Sequence, residues 1–385
     1  MKRLLLIGGG HSHVEVLRRF GLEPENEVEL LMVSPHALTG YSGMLPGLIA
    51  GHYRTQDAHI DLLRLTRDTG CRFQQAAVIG MHLDARLAFC DDGSTLEYDI
   101  AAIDTGSRPG TLDVPGAAVH ALGVKPLDLF MQRWQSFIEL ASKHMLPNAP
   151  RIAVVGGGAA GVETLLSMQY RLSQVSGVDA RFSLVGATPD ILPTHRKQVR
   201  RIFARVLRER GVEVHAGHAV TEVTEHSVVT EGGAWIGTDF VVWATGASAP
   251  YWPRASGLAV DEAGFIRVDA SLRSINCGQV FASGDIAAME GAVRPKSGVF
   301  AVRQGPPLAD NLRRALRGQD LQRFEPQSQA LALISTGNRH AVASRNWLAL
   351  EGAWVWRWKD WIDRRFMRRY VAVRRGSGNA TRRIR

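Results

Sequence analysis

A short apolar run ending in three glycines occurs twice in this chain, as Leu4-Leu5-Leu6-Ile7-Gly8-Gly9-Gly10 and as Ile152-Ala153-Val154-Val155-Gly156-Gly157-Gly158. The match continues beyond the glycines: Arg3, Val14, Glu15 and Leu17 align with Arg151, Val162, Glu163 and Leu165. Each run reads as a buried parallel strand, and each is followed by a helical pattern. A strand, a glycine turn and a helix in that order suit a dinucleotide. The first glycine permits the tight turn and the second lets the backbone approach a pyrophosphate. The helix N-terminus then offers free N–H groups and the positive end of its dipole. Two such units predict an α/β chain with two Rossmann-like, three-layer ββα domains and two bound dinucleotides.

The copies are unequal. Gly156, Gly158 and Gly161 complete the G-x-G-x-x-G pattern, whereas Gly8 and Gly10 are followed by His13 at the third position. A bulky side chain there predicts a wider helix angle, an imidazole that hydrogen-bonds locally, or one that lies near the phosphates. A dinucleotide domain usually ends its second strand with an acidic residue for the ribose hydroxyls. Here the strand Val28–Val33 ends at Ser34 and Pro35, and the strand starting at Arg181 ends at Gly186, so no carboxylate favours NADH at the second turn. Arg196 and Lys197 are the nearest cations for a 2′-phosphate. The choice between NADH and NADPH stays open, as does a second turn that no longer binds either.

With 45% hydrophobic and 22% charged residues in 385, the composition is that of an ordinary globular protein. No apolar run approaches the roughly 18 to 20 residues that span a bilayer. The start, Met1-Lys2-Arg3, reaches glycine after four apolar residues, too few for a signal peptide. A cytoplasmic protein, at most peripheral on the inner face of the cell membrane, is expected. Cys71, Cys90 and Cys277 form no C-x-x-C pair, which argues against a disulfide framework, a metal site and a local redox dithiol.

Further motifs follow in order: Thr105-Gly106-Ser107, Ala244-Thr245-Gly246 and Phe281-Ala282-Ser283-Gly284-Asp285. With the two glycine turns, they make the chain resemble the FAD- and NAD(P)-dependent pyridine nucleotide-disulfide oxidoreductases. The resemblance implies an FAD domain at residues 1–115 and 247–330, a NAD(P) domain at 116–246 inserted into it, and a C-terminal segment at 331–385. It implies that Gly8, Gly10, His11, Ser34, Pro35, Ser42, Gly106, Ser107, Gly284 and Asp285 hold FAD, with Asp285 on the ribityl chain. Gly156, Gly158, Gly161 and Gly246 would hold NADH or NADPH.

Disulfide reductases of the family carry a C-x(4)-C pair where this chain has Thr39 to Gly51, which contains no cysteine. The layout therefore resembles type II NADH dehydrogenases and sulfide:quinone oxidoreductases. This implies electron transfer from NAD(P)H through FAD to a quinone or other small acceptor. Three catalytic candidates follow. Pro46 closes the loop from Tyr41 that would wall the flavin, with a Gly/Pro surface turn as its alternative. Lys296, in the run Arg294 to Gly305, would stabilise the anionic reduced flavin, with a solvated lysine as its alternative. Glu163 would lie near the nicotinamide, with a helix-surface glutamate as its alternative. The runs from Gly8 to Phe20, Leu38 to Tyr53 and His59 to Leu65 are also similar to the flavoprotein module fused to selenophosphate synthetase in some organisms. That likeness leaves two other readings, a sulfide- or selenide-linked flavoprotein and a flavin-binding partner module of selenium metabolism.

The net charge of +9 comes entirely from the end of the chain, where eleven basic residues between Arg357 and Arg385 face only Asp360 and Asp363. On a helical projection Trp354, Val355, Trp358, Trp361, Ile362 and Phe366 fall within about 140°. Trp347, Trp356 and Tyr370 add to the aromatic content. An aromatic stripe flanked by arginines suits an anionic membrane surface. Packing on the body of the protein or against a second copy in a homodimer is the alternative, and nucleic acid is not expected. Arg374 to Arg385 reads as a mobile basic tail.

Overall fold

The computed structural model describes residues 1–110, 114–146, 149–175, 177–292, 296–327, 331–345, 348–371 and 373. Arg294, Trp347 and the basic tail lie outside the described residues. The chain folds into two parallel five-stranded sheets with helices packed around them. β1 (Lys2–Ile7) leads through α1 (His11–Leu22) to β2 (Val28–Ser34), and the sheet continues to β3 (Arg72–Gln75) on one side and β4 (Ile100–Ile103) on the other. Between β2 and β3 lies the short helix α2 (Leu45–Ile49).

The chain then builds the second sheet from β5 (Ala121–Gly123), β6 (Arg151–Val155), β7 (Arg181–Gly186), β8 (Glu213–Ala216) and β9 (Phe240–Trp243), with α3 (Ala159–Leu172) following β6. It returns to the first sheet as β10 (Val280–Ala282), which pairs with β4. The spatial orders β10-β4-β1-β2-β3 and β5-β9-β6-β7-β8 repeat one four-strand arrangement, with the edge strand entering last in the first sheet and first in the second. Each copy also carries an antiparallel meander, Val78–His82 to Thr95–Glu97 before β4 and Val220–Val223 to Trp235–Gly237 before β9. Leu4 to Ile7 and Ile152 to Val155 are buried, as central parallel strands covered on both faces must be.

After β10, the long helix α4 (Gly298–Leu316) crosses α1 at Gly305, where a Cβ would lie 2.7 Å from that of Glu15. Only a helix and a tail are expected beyond residue 330, but an additional antiparallel sheet precedes them: β11 (Ala332–Ser335), β12 (Ala341–Arg345) and β13 (Leu348–Gly352). Its Ile334 and Val342 enter the apolar core around α3, so these short strands are fixed by contacts remote in sequence.

The last element, α5 (Ala353–Arg368), corrects the single aromatic arc expected for it. Val355 and Phe366 turn inward together with Lys359 and Asp363, whereas Trp354, Trp358 and Trp361 stay 48%, 36% and 52% exposed. The inward stripe is half polar because Lys359 finds partners inside, donating to the Gly43 carbonyl and, over 2.6 Å, to Asp363.

Candidate functional site

Both glycine turns are held by the same close contact. Gly8 has φ +95°, and a Cβ there would lie 2.5 Å from the Asp104 carbonyl oxygen; Gly156 has φ +134°, and a Cβ there would lie 2.7 Å from that of Ala244. Only glycine combines that backbone with that approach. The third positions differ. A Cβ on Gly161 would lie 1.9 Å from the Gly156 carbonyl oxygen, while in the first copy the fully buried His13 donates from Nδ1 to the Gly8 carbonyl over 2.7 Å. The imidazole thus hydrogen-bonds locally, and burial holds its pKa down to about 4.

Neither α1 nor α3 has an N-cap side chain of its own, because the caps are Gly10 and Gly158. Among the described residues, the N–H groups of Gly9 and His11 at the first turn, and of Gly158, Ala159, Ala160 and Gly161 at the second, make no hydrogen bond. Such donors at a helix start attract phosphate. His11 Nε2 and Ser283 Oγ are also buried without a partner beside the first turn.

Around the first turn, the motif residues converge. Gly10 and Gly284 face each other across the Asp104 carboxylate, which fills the space either Cβ would need. Asp285 lies close enough to His11 to act on its charge, accepts from Lys125 Nζ over 2.6 Å, and is within 3.3 Å of Ser107 Oγ. Ser42 Oγ abuts Gly298 at the start of α4, with the His11 ring beside it. Ser34 is buried and donates to the His36 carbonyl over 3.1 Å, 3.4 Å from where a Gly9 Cβ would lie. Pro35 is exposed. Gly106 (φ +72°) and Gly246 (φ +40°) both leave open space where a side chain would stand.

The three catalytic candidates lie in different surroundings. Pro46 is buried in the first turn of α2, so the segment after Tyr41 is a packed helical turn and not a surface loop. Lys296 donates to the Ala287 carbonyl over 2.6 Å and stands 3.8 Å above the centre of the Phe265 ring. With Gly284, Asp285 and Phe300 it lines a cavity of about 720 Å³, and burial lowers its pKa. Glu163 accepts the Ser335 N–H over 2.6 Å; burial pushes its carboxyl up to about 7, against the attraction of Lys359 and with the repulsion of Asp363.

Several contacts of the site carried no sequence signal that could have foretold them. Tyr41 stacks on Phe366 of α5 with ring centres 4.3 Å apart, and His11 meets the Tyr41 edge at 5.4 Å. Tyr370 donates to Glu15 of α1 over 3.1 Å. The C-terminal helix therefore lies against the first turn and α2 segment. Lys125 and Asp104 were likewise missed, although the mismatch of Asp104 with Ala244 in otherwise matching segments was visible in the sequence. Cys71, Cys90 and Cys277 are all free and buried, and burial raises the thiols of Cys71 and Cys90.

The free donors at both turns, the unpartnered His11 and Ser283 atoms and the glycine cradles fit a dinucleotide at each turn. The chain is 28% identical over 217 residues to an NADH dehydrogenase-like protein of Mycobacterium tuberculosis, an alignment that spans only about half of either chain, 55% of this one and 54% of the relative. It is 23% identical over 390 residues to a type II NADH:quinone oxidoreductase of Haemophilus influenzae, covering 89% and 87%. The sulfide:quinone oxidoreductase of Aquifex aeolicus has the same fold, with a TM-score of 0.82 at 16% identity over 98% and 93% of the two chains. Residues 2–305 match the pyridine nucleotide-disulphide oxidoreductase model, and the chain belongs to that family of FAD- and NAD(P)-dependent enzymes.

Proposed function

We propose that this chain is an NAD(P)H:quinone oxidoreductase that works at a membrane surface, with FAD at the first turn and the nicotinamide nucleotide at the second. The observation that carries the reading is the pair of matched turns with free helix donors, joined to a flavin-side segment, Thr39 to Gly51, that contains no cysteine. FAD held at the first turn would supply the two-electron relay, a hydride acceptor toward the nicotinamide and an electron donor toward the quinone. The domain division would follow the sheets, with residues 1–115 and 247–330 around the flavin and 116–246 around the nicotinamide.

The chain's own residues then have defined tasks. The N–H groups of Gly9 and His11 bind the flavin diphosphate, and those of Gly158 to Gly161 the second. Lys125 and Ser107 orient Asp285 toward the ribityl chain. Quinone reduction by a hydride consumes one further proton. Glu163 suits that demand, because one carboxylate oxygen accepts the Ser335 N–H and the other can hold a proton near neutral pH. The inward face of α5, with Phe366 against Tyr41, excludes water from this side.

The outward face of α5 presents Trp354, Trp358 and Trp361 with Arg357, Arg365 and Arg368, a pattern that suits an anionic lipid surface. None of the helices among the described residues is long and apolar enough to cross a membrane. A sulfide donor fits less well, since all three cysteines are buried.

The test is anaerobic. NADH and NADPH are added separately to the yellow protein while flavin absorbance is followed, and then a short-chain quinone. Bleaching by one nucleotide and recovery with quinone is the expected result. No bleaching by either would overturn the electron-donor assignment.

A further inference from the structure

The internal repeat isolates one residue that the first turn has and the second lacks. Asp104 and Ala244 end equivalent strands beside equivalent turns, and their carbonyl oxygens pin Gly8 and Gly156 in the same way. One copy places a methyl group there and the other a carboxylate. That carboxylate is 3% exposed. Its Oδ2 accepts the N–H of Ser12 over 2.8 Å and of His13 over 3.3 Å. It also stands 2.3 Å from where a Cβ on Gly10 or on Gly284 would lie. Asp104 therefore caps α1 from 92 residues away. The matching N–H groups of α3, on Ala160 and Gly161, are left free.

Among the described residues no cation pairs with Asp104. Asp285 faces it from the opposite motif and repels it, with Lys125 engaged on the outer side of Asp285. On α1, burial holds His11 and His13 at about 4, so both are neutral near pH 7, and Glu15 is paired with Arg18 and Arg19. Burial pushes the Asp104 carboxyl up to about 7, against the two backbone N–H groups that favour its ionised form.

We propose that Asp104 is a positioning residue that couples flavin-nucleotide binding at the first turn to uptake of one proton from solvent. The inference rests on the assignment of FAD to that turn. The diphosphate brings two negative charges to a helix end where a buried carboxylate already stands, and like charges in such a site disfavour ionisation. The proton goes to Asp104, because diphosphate diesters stay ionised at any pH the protein tolerates. Protonated, Asp104 still accepts the Ser12 N–H and holds α1 in place. The second turn, with Ala244, needs no such proton.

The experiment is titration of the full-length, flavin-stripped chain with FAD between pH 6 and 8.5, together with calorimetry in buffers of different ionisation enthalpy. Wild type should take up close to one proton at pH 8 and little at pH 6, and its Kd should weaken roughly tenfold between those values. Asp104→Asn, which keeps an acceptor for Ser12, should bind with no uptake and a flat pH profile. FAD binding by wild type without proton uptake, or unchanged uptake in Asp104→Asn, overturns the inference. If the variant fails to fold, the wild-type calorimetry decides alone. Failure of the wild-type chain to bind FAD at any pH overturns the flavin assignment itself, and the inference with it.

Discussion

Gly161→Ala tests whether the close approach of helix and strand at the second turn is what nucleotide binding requires. The new methyl would lie 1.9 Å from the Gly156 carbonyl oxygen, 3.0 Å from its carbon and 3.5 Å from Ala244 Cβ. A carbon and a carbonyl oxygen rest no closer than about 3.3 Å, so α3 must retreat by more than about 1 Å. No side chain can rotate away, because the obstacle is backbone, and Gly156 is itself pinned at φ +134°. Overpacking of this kind costs about 1–3 kcal/mol, and the upper end is expected. The retreat also carries the free N–H groups of Gly158 to Gly161 away from the diphosphate. Urea unfolding should show the stability loss, and anaerobic titration should show at least about a tenfold rise in the NAD(P)H concentration needed for bleaching, about 1.4 kcal/mol. Flavin content should be unchanged. The first copy supplies the counter-argument, since α1 accommodates His13 at this position. Unchanged stability and unchanged nucleotide affinity would mean that α3 slides just as freely, refuting the steric account.

Glu163 should make stability depend on pH. Its folded pKa of about 7 lies above the ordinary 4.5, so its contribution is full at low pH and is lost as pH rises through 7. Glu163→Gln should flatten the denaturation profile between pH 5 and 8 by at most about 3 kcal/mol; a profile parallel to wild type would show that the group is already ionised at pH 5. Replacing Arg357, Arg365 and Arg368 together by Gln should weaken binding to anionic vesicles by on the order of 100-fold at about 1 kcal/mol per charge. Equal sedimentation of both proteins with such vesicles would refute a membrane role for the α5 arginines. Substituting Cys71, Cys90 and Cys277 by Ala should leave quinone-dependent turnover within about twofold, and its loss would restore the thiol route.

The sequence alone determined the two Rossmann-like units and the location of both turns, because those signals are local. Apolar runs, glycines and the spacing of the T-G and G-D motifs are dictated by one strand, one turn and one helix at a time, and the repeat doubles the signal. His13 could be marked as anomalous from the same local rule. What the sequence did not reveal depends on pairs remote along the chain. Lys359 meets Gly43 across 316 positions and Tyr370 meets Glu15 across 355. Helical periodicity placed Val355 and Phe366 with the tryptophans, but only packing against the Ser42–Met44 turn and β12 decided that Lys359 and Asp363 would share the inward face. Asp104 shows the boundary most clearly. Its identity departs from the repeat in plain view, yet whether that carboxylate would face solvent, pair with a lysine or cap α1 from within was decided only when Gly10 and Gly284 closed around it.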